Sequence, residues 1–470
     1  MRAVLGIDVG LSSVRAAVVA ADGRLLGHAR SSQPPLRGTG RDAERHVTDW
    51  TAAIPRVARD SLVAAGSPPI EMIGIGALGP CPVMLDAGGM ALGSVPLFSL
   101  EAGAEAERQH LLADGTIAAH LLGPDHVIPR LRLWQRQRPD EFARAVMVVD
   151  ATGYLVGWLT GRPVMDPATA IDHRCHGLPQ PLPLPQILEP TSIAGGLTPA
   201  AAELLGLPAA TPVCVGTYDS FADLAGAGVV ADGDAGLLLG TTAVVGKVIG
   251  RATAETAVAA AGLRATPHAG AGVLVGGWTS TSGSLVDWAG RLFPDTDRAP
   301  PPGPGASGLI AIPYFAGERA PHWDVAASGA FVGLSLATTA GDLRRAAIEG
   351  VALSILDIAD RIAAVAGAVP VFRAAGGGLR NSQWTQMTAD ALGGSVLAIA
   401  DAGEAIGPAS LALRAAGIDF AARFDCEIVA DRRRHDAFRE LLTIYRRSYP
   451  ALRDTMQAMQ KFRSTRWNSP

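Results

Sequence analysis

The chain has 470 residues, of which 48% are hydrophobic and 18% are charged, enough apolar material to fill large cores in two or three domains. Its 40 basic and 44 acidic residues give a net charge of −4, which excludes any broad electrostatic attraction to nucleic acid or to an anionic membrane. No apolar run reaches the roughly 18 residues that span a bilayer, and the N-terminus turns polar too early for a signal peptide. We therefore expect a cytoplasmic protein with no nucleic-acid or membrane partner.

Two further classes of site are excluded by residue types. The four cysteines are far apart and form no CxxC pair, so neither a disulfide framework nor a zinc site is implied. The sequence contains no GxxxxGK[ST] motif, so a nucleotide would have to be held without a Walker-type loop.

The first third of the chain predicts a strand meander followed by alternating helices and strands. Apolar runs at residues 4–9, 14–20 and 24–30 are separated by two turns, the second of which is Asp22-Gly23, a strong hairpin signal. A helix over residues 48–65, kinked or restarted near Pro55, precedes a strand. This pattern predicts an α/β fold.

The second half opens in much the same way as the first. An apolar run over residues 237–250 is interrupted by Gly240, Thr241 and Thr242, so a second strand, turn and strand is predicted. The likeness to the N-terminal hairpin raises the hypothesis of a duplicated fold.

Helical patterns dominate the last third of the chain. An apolar stripe from Leu343 to Ile362 predicts a core helix. Helices are also predicted over residues 381–392 and 404–416, and in the tail over residues 435–462 with an interruption near Pro450.

The tip of the first hairpin is a candidate phosphate site. Asp8 ends the first strand and is followed by Gly10, Ser12 and Ser13. Turn amides bind oxyanions, and a carboxylate can hold Mg²⁺ through water. The alternative is an aspartate that only stabilises its own turn.

Two turns in the second half could hold other parts of a nucleotide. Thr241 and Thr242 offer hydroxyls at the second hairpin tip, although an ordinary hairpin would look the same. Gly376 and Gly377 allow a flat ligand to approach the backbone, and Asn381 opens the helix that follows. Glycine turns of this kind are also common for purely topological reasons.

Asp219 is the candidate general base. It follows an apolar strand and Gly216, which places a carboxylate at a strand end. A carboxylate there could accept the proton of a hydroxyl that attacks a phosphoryl group. The alternative from local sequence is a helix N-cap.

Taken in order, four segments resemble the FGGY carbohydrate kinases, and among them the xylulokinase-like branch. The segments are GTYDSFADLAGAG at residues 216–228, PYFAGERAPHWD at 313–324, GAFVGLSLATTAGDLRRAAIE at 329–349 and AAGGGLRNSQWTQMTADALG at 374–393. The third segment is the most specific match. The resemblance implies an α/β protein with two ribonuclease-H-like domains of the actin, hexokinase and heat-shock ATPase type, with an ATP cleft between them. We place the domains at residues 1–222, on the sugar side, and 223–470, on the nucleotide side.

The same resemblance implies a role for each candidate residue, with ATP and Mg²⁺ as cofactors. Asp219 would be the catalytic base and would also contact the substrate. Asp8 and Asp219 would lie at the metal. The ATP-binding residues would be Gly10, Ser12, Ser13, Arg15, Thr241, Thr242, Gly376, Gly377 and Asn381.

The chain departs from the family pattern where the sugar is bound. Leu11 stands where the family usually has Thr, and Leu78-Gly79-Pro80 stands where xylulokinases carry Gln-Met-His. Glu101 falls one residue after the acid that contacts the sugar in the family. We take Leu78, Gly79, Pro80 and Glu101 as the substrate-binding positions, and we expect a sugar other than xylulose.

The expected activity is ATP-dependent phosphorylation of a small sugar, polyol or sugar acid, by a chain that could work as a homodimer. The alternative is a catalytically impaired, nucleotide-binding regulator of the same fold. A chaperone or filament ATPase shares the fold, but the family signature argues against it.

Overall fold

The computed structural model divides the chain into two compact units, which we call unit 1 and unit 2. Unit 1 comprises Met1–Val230, Thr266–Gly272 and Asp401–Arg423, and unit 2 comprises Ala231–Ala265, Val273–Ala400 and Phe424–Pro470. The structure describes residues 2–38, 43–97, 102–113, 122–123, 126–174, 180–250, 255–270, 272–293, 303–399 and 405–467. The domain limits of 1–222 and 223–470 stay a prediction. They differ from the two units in placing the two later segments of unit 1 in the second domain.

The described residues form helices and strands in alternation. The α-helices are α1 (Val47–Ala64), α2 (Ala102–Ala113), α3 (Val127–Gln137), α4 (Pro139–Arg144), α5 (Ala151–Thr160), α6 (Pro167–Ile171), α7 (Pro199–Leu205), α8 (Asp219–Gly226), α9 (Glu255–Ala260), α10 (Gly283–Leu292), α11 (Ala340–Ala366), α12 (Ser382–Leu392), α13 (Ile406–Ala415) and α14 (Arg432–Trp467). The strands are β1 (Ala3–Val9), β2 (Ser13–Ala20), β3 (Leu25–Ser32), β4 (Glu44–Arg45), β5 (Ile70–Ala77), β6 (Val83–Leu85), β7 (Ala91–Leu92), β8 (Val95–Pro96), β9 (Met147–Val149), β10 (Val164–Met165), β11 (Gln186–Ile187), β12 (Ile193–Gly196), β13 (Pro212–Cys214), β14 (Thr217–Tyr218), β15 (Ala235–Leu239), β16 (Ala243–Gly250), β17 (Arg264–Pro267), β18 (Gly272–Trp278), β19 (Ile310–Ile312), β20 (Ala330–Val332), β21 (Val371–Ala375), β22 (Ser395–Ile399) and β23 (Phe424–Val429).

Unit 1 is built on a seven-stranded sheet. Its order is β12-β13-β5-β1-β2-β3, and β14 also pairs with β5. β1 runs antiparallel to β2 and parallel to β5, so Ile7 lies between Ala16 and Ile75. Every residue of β1 is buried, as expected for a central strand covered on both faces. The three opening strands predicted from the sequence are confirmed.

Unit 2 repeats this arrangement with a second seven-stranded sheet. Its order is β17-β18-β16-β15-β21-β22-β23. β15 is antiparallel to β16 and parallel to β21, just as β1 is antiparallel to β2 and parallel to β5. The predicted fold class, an α/β protein with two ribonuclease-H-like domains, is confirmed.

Helix α13 belongs to unit 1 although it follows most of unit 2 in the chain. It packs against β1 and β5, where Gly6 and Gly74 leave room for its backbone. A Cβ on Gly6 would lie 2.5 Å from the carbonyl oxygen of Ala405 and 2.6 Å from the amide nitrogen of Ala409. The close approach therefore depends on glycine in the strands.

The predicted restart of the first helix near Pro55 and the predicted interruption of the tail helix near Pro450 do not occur. α1 runs through Pro55 and α14 runs through Pro450, each as one helix. Proline removes one helical hydrogen bond, but tertiary packing supplies most of the stability of a helix in a protein. In α14 that packing includes Tyr445 and Tyr449, two buried residues in the helical turn that precedes Pro450.

Each unit has its own apolar core. In unit 1, strand residues such as Leu5 and Ile7 pack with Trp50 and Ile54 of α1. In unit 2, Leu237 and Val245 pack with residues of α11 such as Val351. None of the helices in the part of the chain that the structure describes has the length and apolar character needed to cross a lipid bilayer.

Candidate active site

Asp8 and Arg15 form a cross-strand ion pair beside the first hairpin tip. The register of β1 and β2 places them opposite each other, and Arg15 Nη2 lies 2.8 Å from Asp8 Oδ2. Asp8 is 1% exposed. Its other oxygen, Oδ1, has no hydrogen-bond partner among the described residues. Burial raises the pKa of Asp8, and the charge of Arg15 opposes that rise.

The first hairpin tip is a tight turn held by a residue that the sequence did not single out. The Gly10 amide donates to the Ser13 carbonyl oxygen at 3.0 Å. The Gln33 side chain donates to the Gly10 carbonyl oxygen, and its backbone amide donates to the Ser12 carbonyl oxygen at 2.9 Å. Ser12 is exposed at the tip, whereas Ser13 is buried. Ser12 is therefore the more accessible of the two predicted phosphate-side hydroxyls.

Asp219 lies at the end of β14, and two hydrogen bonds hold that strand in place. Thr217 donates from its Oγ1 to Asp166 Oδ2 at 3.0 Å, and its carbonyl oxygen accepts from Thr152 Oγ1 at 3.0 Å. Gly216 has φ of +73°, and a Cβ there would overlap the Ile75 carbonyl, so glycine is needed at this position. Thr217 pairs with Gly76 of β5, which itself pairs with Asp8.

The local alternative for Asp219, a helix N-cap, is wrong. Tyr218 is the N-cap residue of α8 and Asp219 is the first residue of the helix. Asp219 Oδ1 accepts only from the amide of the next residue, Ser220, at 2.7 Å among the hydrogen bonds of the described residues. Asp219 as a residue is partly exposed, so a ligand could reach it.

The electrostatic surroundings of Asp219 suit a base at neutral pH. Burial raises the pKa of Asp219 to about 7, and the negative charge of Asp8 adds to the rise. A pKa near the working pH favours general-base catalysis, because the ionised form is populated and still binds a proton well.

A third carboxylate, Asp223, belongs to the same group, and our sequence reasoning missed it. It lies one helical turn after Asp219 on α8. Burial raises the pKa of Asp223 well above its ordinary value, and the charges of Asp8 and Asp219 raise it further. The spacing of four residues between the two aspartates was the available signal, because residues four apart lie on one face of a helix.

Unit 2 brings its own candidate residues together at the second hairpin tip. The Gly240 amide donates to the Thr242 carbonyl oxygen at 2.9 Å, a turn like the one at Gly10. Gly376 adopts a positive φ of 103°, and a Cβ there would lie 2.5 Å from the Leu239 carbonyl oxygen. The glycine turn is thus next to the hairpin tip. Thr241 is exposed and Thr242 is partly exposed.

Asn381 has a structural task that limits what it can offer a nucleotide. Its side-chain oxygen caps α12 by accepting from the Trp384 amide at 3.0 Å. The side-chain oxygen is used by this cap, so the NH₂ group is the part of the Asn381 side chain that could donate a hydrogen bond to a nucleotide. Gly377 has open space around it, which is compatible with the close approach of a ligand.

The predicted substrate positions fall at the end of β5, beside Asp219. Leu78 and Pro80 are buried, and Gly79 is partly exposed. The Leu78 amide donates to the Val9 carbonyl oxygen at 2.8 Å, so this segment continues the sheet next to β1. Glu101, the remaining predicted substrate contact, lies outside the described residues.

The residues present fit a magnesium ion that is held mainly by phosphate. Mg²⁺ in phosphoryl-transfer sites usually takes one or two carboxylates, with the remaining ligands from phosphate and water. Among the described residues there is no group of three or more His, Cys, Asp or Glu side chains arranged to hold a metal. Asp8 Oδ1 is nevertheless buried and has no hydrogen-bond partner within the described parts of the chain, which leaves that oxygen for a water or an ion.

Comparison with known proteins gives consistent matches. Residues 235–416 match the model of the FGGY family of carbohydrate kinases, C-terminal domain. A xylulose kinase of Escherichia coli strain K12 is 26% identical over 489 residues, which cover 95% of this chain and 99% of that protein. A xylulose kinase of Staphylococcus epidermidis is 27% identical over 282 residues, so the matched part spans 56% of each protein.

A solved structure shows the same fold over nearly the whole chain. The ligand-bound xylulose kinase from Lactobacillus acidophilus superposes with a TM-score of 0.86 at 20% identity, covering 98% of this chain and 100% of that one. The C-terminal domain match at residues 235–416, the relative that matches from end to end and the duplicated sheets agree, and the chain is similar to the FGGY family of carbohydrate kinases.

Proposed function

We propose that the protein is an ATP-dependent carbohydrate kinase, xylulokinase-like in sequence, that phosphorylates a hydroxyl of a small sugar, polyol or sugar acid. The observation that carries this proposal is the position of Asp219. Asp219 is a partly exposed residue at a strand end, close enough to Asp8 to feel its charge, and its pKa is raised to about 7. The similarity of the chain to the FGGY carbohydrate kinases supports the same reaction class.

Asp219 accepts the proton of the attacking hydroxyl. Asp219 lies in the first turn of α8, and the hydrogen bonds of Thr217 fix the strand that precedes it. The carboxylate is therefore held in one place, so the acceptor hydroxyl is oriented as well as deprotonated. Ser220 donates to one carboxylate oxygen, and the other oxygen is left to take the proton.

Each unit offers groups that suit part of a nucleotide. ATP, when bound, supplies the γ-phosphoryl group, and Mg²⁺ offsets the charge of its phosphates. Asp8 would hold the ion through water, and the amides and Ser12 hydroxyl of the first tip would contact phosphate oxygens. In unit 2, the Thr241 and Thr242 hydroxyls would contact phosphate, and the Gly376 and Gly377 backbone and the Asn381 amide would contact adenosine.

The acceptor is proposed to be a compound other than xylulose. Leu78, Gly79 and Pro80 carry no side-chain hydrogen-bonding group, so they cannot bind hydroxyls as polar side chains do. A site built for hydroxyls rejects analogues that lack them, whereas an apolar site discriminates only weakly against an added hydroxyl. A cytoplasmic location and a homodimer remain predictions.

The test is acceptor-dependent ADP release, measured across pentuloses, hexuloses, polyols and aldonates. We expect one class of acceptor to stimulate ADP release and to yield a phosphorylated product in equal amount. Flat ADP release across the panel, together with retained ATP binding, would contradict the proposal and favour the nucleotide-binding regulator.

A further inference from the structure

The ring of Tyr218 occupies the space above Gly79. A Cβ built on Gly79 would overlap ring atoms Cδ1 and Cε1 of Tyr218 and lie 3.1 Å from Cζ. Gly79 is not among the glycines with positive φ, so the backbone conformation does not require glycine here. The ring is therefore the reason that position 79 carries no side chain.

Several contacts hold the ring where it is. The phenol oxygen lies 3.5 Å from the Thr169 carbonyl oxygen. The ring centroid is 6.0 Å from that of Phe221, one turn into α8. Tyr218 is 5% exposed, and burial raises the pKa of its phenol well above the ordinary value. The group stays neutral, so it acts through its volume and not as an acid or base.

The sheet places this ring beside the proposed base. β5 and β14 are parallel, and Tyr218 pairs with Ala77. Gly79 follows two residues after Ala77, and Asp219 follows directly after Tyr218. Ligands of parallel α/β sheets bind at the carboxyl ends of the strands. An acceptor with one hydroxyl at Asp219 thus meets Leu78, Gly79 and the Tyr218 ring as the nearest surfaces on this edge.

Charged groups lie on the strand beyond β5. β5 pairs with β14 on one side and with β1 on the other, so Asp8 and its partner Arg15 lie across β5 from Asp219, and the first hairpin tip with its proposed phosphate-binding groups begins two residues after Asp8. An uncharged carbon chain would have to displace charged groups and their water on that side, which is costly. A carbon chain that extends from Asp219 across this sheet edge therefore meets the end of β5, at Leu78 and Gly79, before it reaches Asp8.

We propose that Tyr218 is a specificity-determining residue that limits the length of the acceptor by filling the space above Gly79. The inference rests on the proposed function and narrows its substrate class. The acceptors it favours are short polyols and ketoses, and longer chains are rejected because the ring occupies the volume they need.

The test compares kcat/KM for six-carbon and four-carbon polyols and for the matching ketoses. Tyr218→Ala is expected to raise the ratio of the long to the short acceptor by about tenfold or more, the range seen when a pocket gains or loses one or two carbon groups. The KM for ATP is expected to change by less than about twofold, because the ring lies on the acceptor side. Tyr218→Phe keeps the ring and should keep the ratio within about twofold of wild type.

A paired substitution checks the contact without any assay of activity. Gly79→Ala alone must push the ring aside, so its thermal midpoint should fall. In the Tyr218→Ala background the same substitution should be tolerated, because the obstructing atoms are gone. Equal losses in both backgrounds would show that the ring does not occupy this space, and the inference would then fail.

Failure of the inference and failure of the proposed function give different results. If wild type releases ADP with an acceptor and Tyr218→Ala leaves the length ratio unchanged, Tyr218 does not set acceptor length. If wild type releases ADP with none of the acceptors, the proposed function itself is wrong and the inference falls with it.

Discussion

The protonation of Asp219 depends on a residue from another strand. Asp8 lies in β1 and Asp219 follows β14, and Gly76 of β5 pairs with residues of both strands. Burial and the charge of Asp8 together bring the pKa of Asp219 to about 7. The two carboxylates therefore act as one electrostatic unit, in which a change at one alters proton binding at the other.

This coupling predicts the pH dependence of turnover. Asp219 must be ionised to accept a proton, so kcat should rise with pH through about 7 and level off above it. Asp8→Asn removes a neighbouring negative charge, which lowers the pKa of Asp219. The acid limb of the kcat profile should then move to lower pH, measured with an acceptor that wild type uses.

Asp60→Asn is the matched control for that profile. Asp60 is exposed on α1, far along the chain from the carboxylate group, and its substitution should leave the acid limb in place. An acid limb that stays fixed in Asp8→Asn, or moves to higher pH, would show that Asp8 does not raise the pKa of Asp219.

Single residues of the site differ in how far sequence alone could predict them. The place of Asp219 at a strand end could be predicted from the apolar strand and the glycine before it, whereas its role as a base came from the family resemblance and stays a prediction. The contact between Tyr218 and Gly79 could not, because it joins segments about 140 residues apart and leaves no local pattern. Gln33, which holds the first tip, is hidden for the same reason.

At the scale of elements, the packing of α13 on the unit 1 sheet depends on two strand glycines. A Cβ on Gly74 would overlap the carbonyl group of Pro408 and lie 3.2 Å from the Ala412 side chain. The helix would have to move away from β5 to accommodate it. Its neighbour α8, which begins with Asp219, packs on α13 and would move too.

Gly74→Ala is therefore expected to lower the free energy of unfolding by about 1–3 kcal/mol, as overpacking usually does. Chemical denaturation measures this change. Gly290→Ala is the matched control, because Gly290 lies in α10 with open space around its Cβ position. That substitution should be neutral or stabilising by about 0.5–1 kcal/mol. A Gly74→Ala protein as stable as wild type would contradict the packing described here.

Elements defined by local patterns were predicted well, and those decided by packing were not. The β1 to β3 meander follows from alternation and turn residues, and α11 follows from its apolar stripe. The continuity of α1 and α14 through proline is decided by contacts on either side, such as the pairing of Arg446 with Asp357 at 2.6 Å. Local sequence carries no record of those partners.

At the scale of the whole molecule, the duplicated sheet was predicted from two short, similar hairpins and from the family resemblance. The two hairpin openings are alike over a few residues only, yet the strand orders around β1 and β15 correspond. The return of the α13 segment to unit 1 could not be predicted from the sequence. Small residues such as Gly407 and Ala409 indicate close packing but do not identify the element against which the helix packs. Family resemblance, carried by short motifs, supplied the fold class.

The central claim is that Asp219 is the base of a phosphoryl transfer to an acceptor hydroxyl, and Asp219→Asn tests it most directly. The measurement is acceptor-dependent ADP release by Asp219→Asn, by the surface control Asp60→Asn and by wild type, each shown to be folded and to bind ATP. The account predicts a loss in kcat of about 10²–10⁴-fold for Asp219→Asn, the usual contribution of a positioned general base, and no change for Asp60→Asn. Turnover by Asp219→Asn within about tenfold of wild type would contradict it.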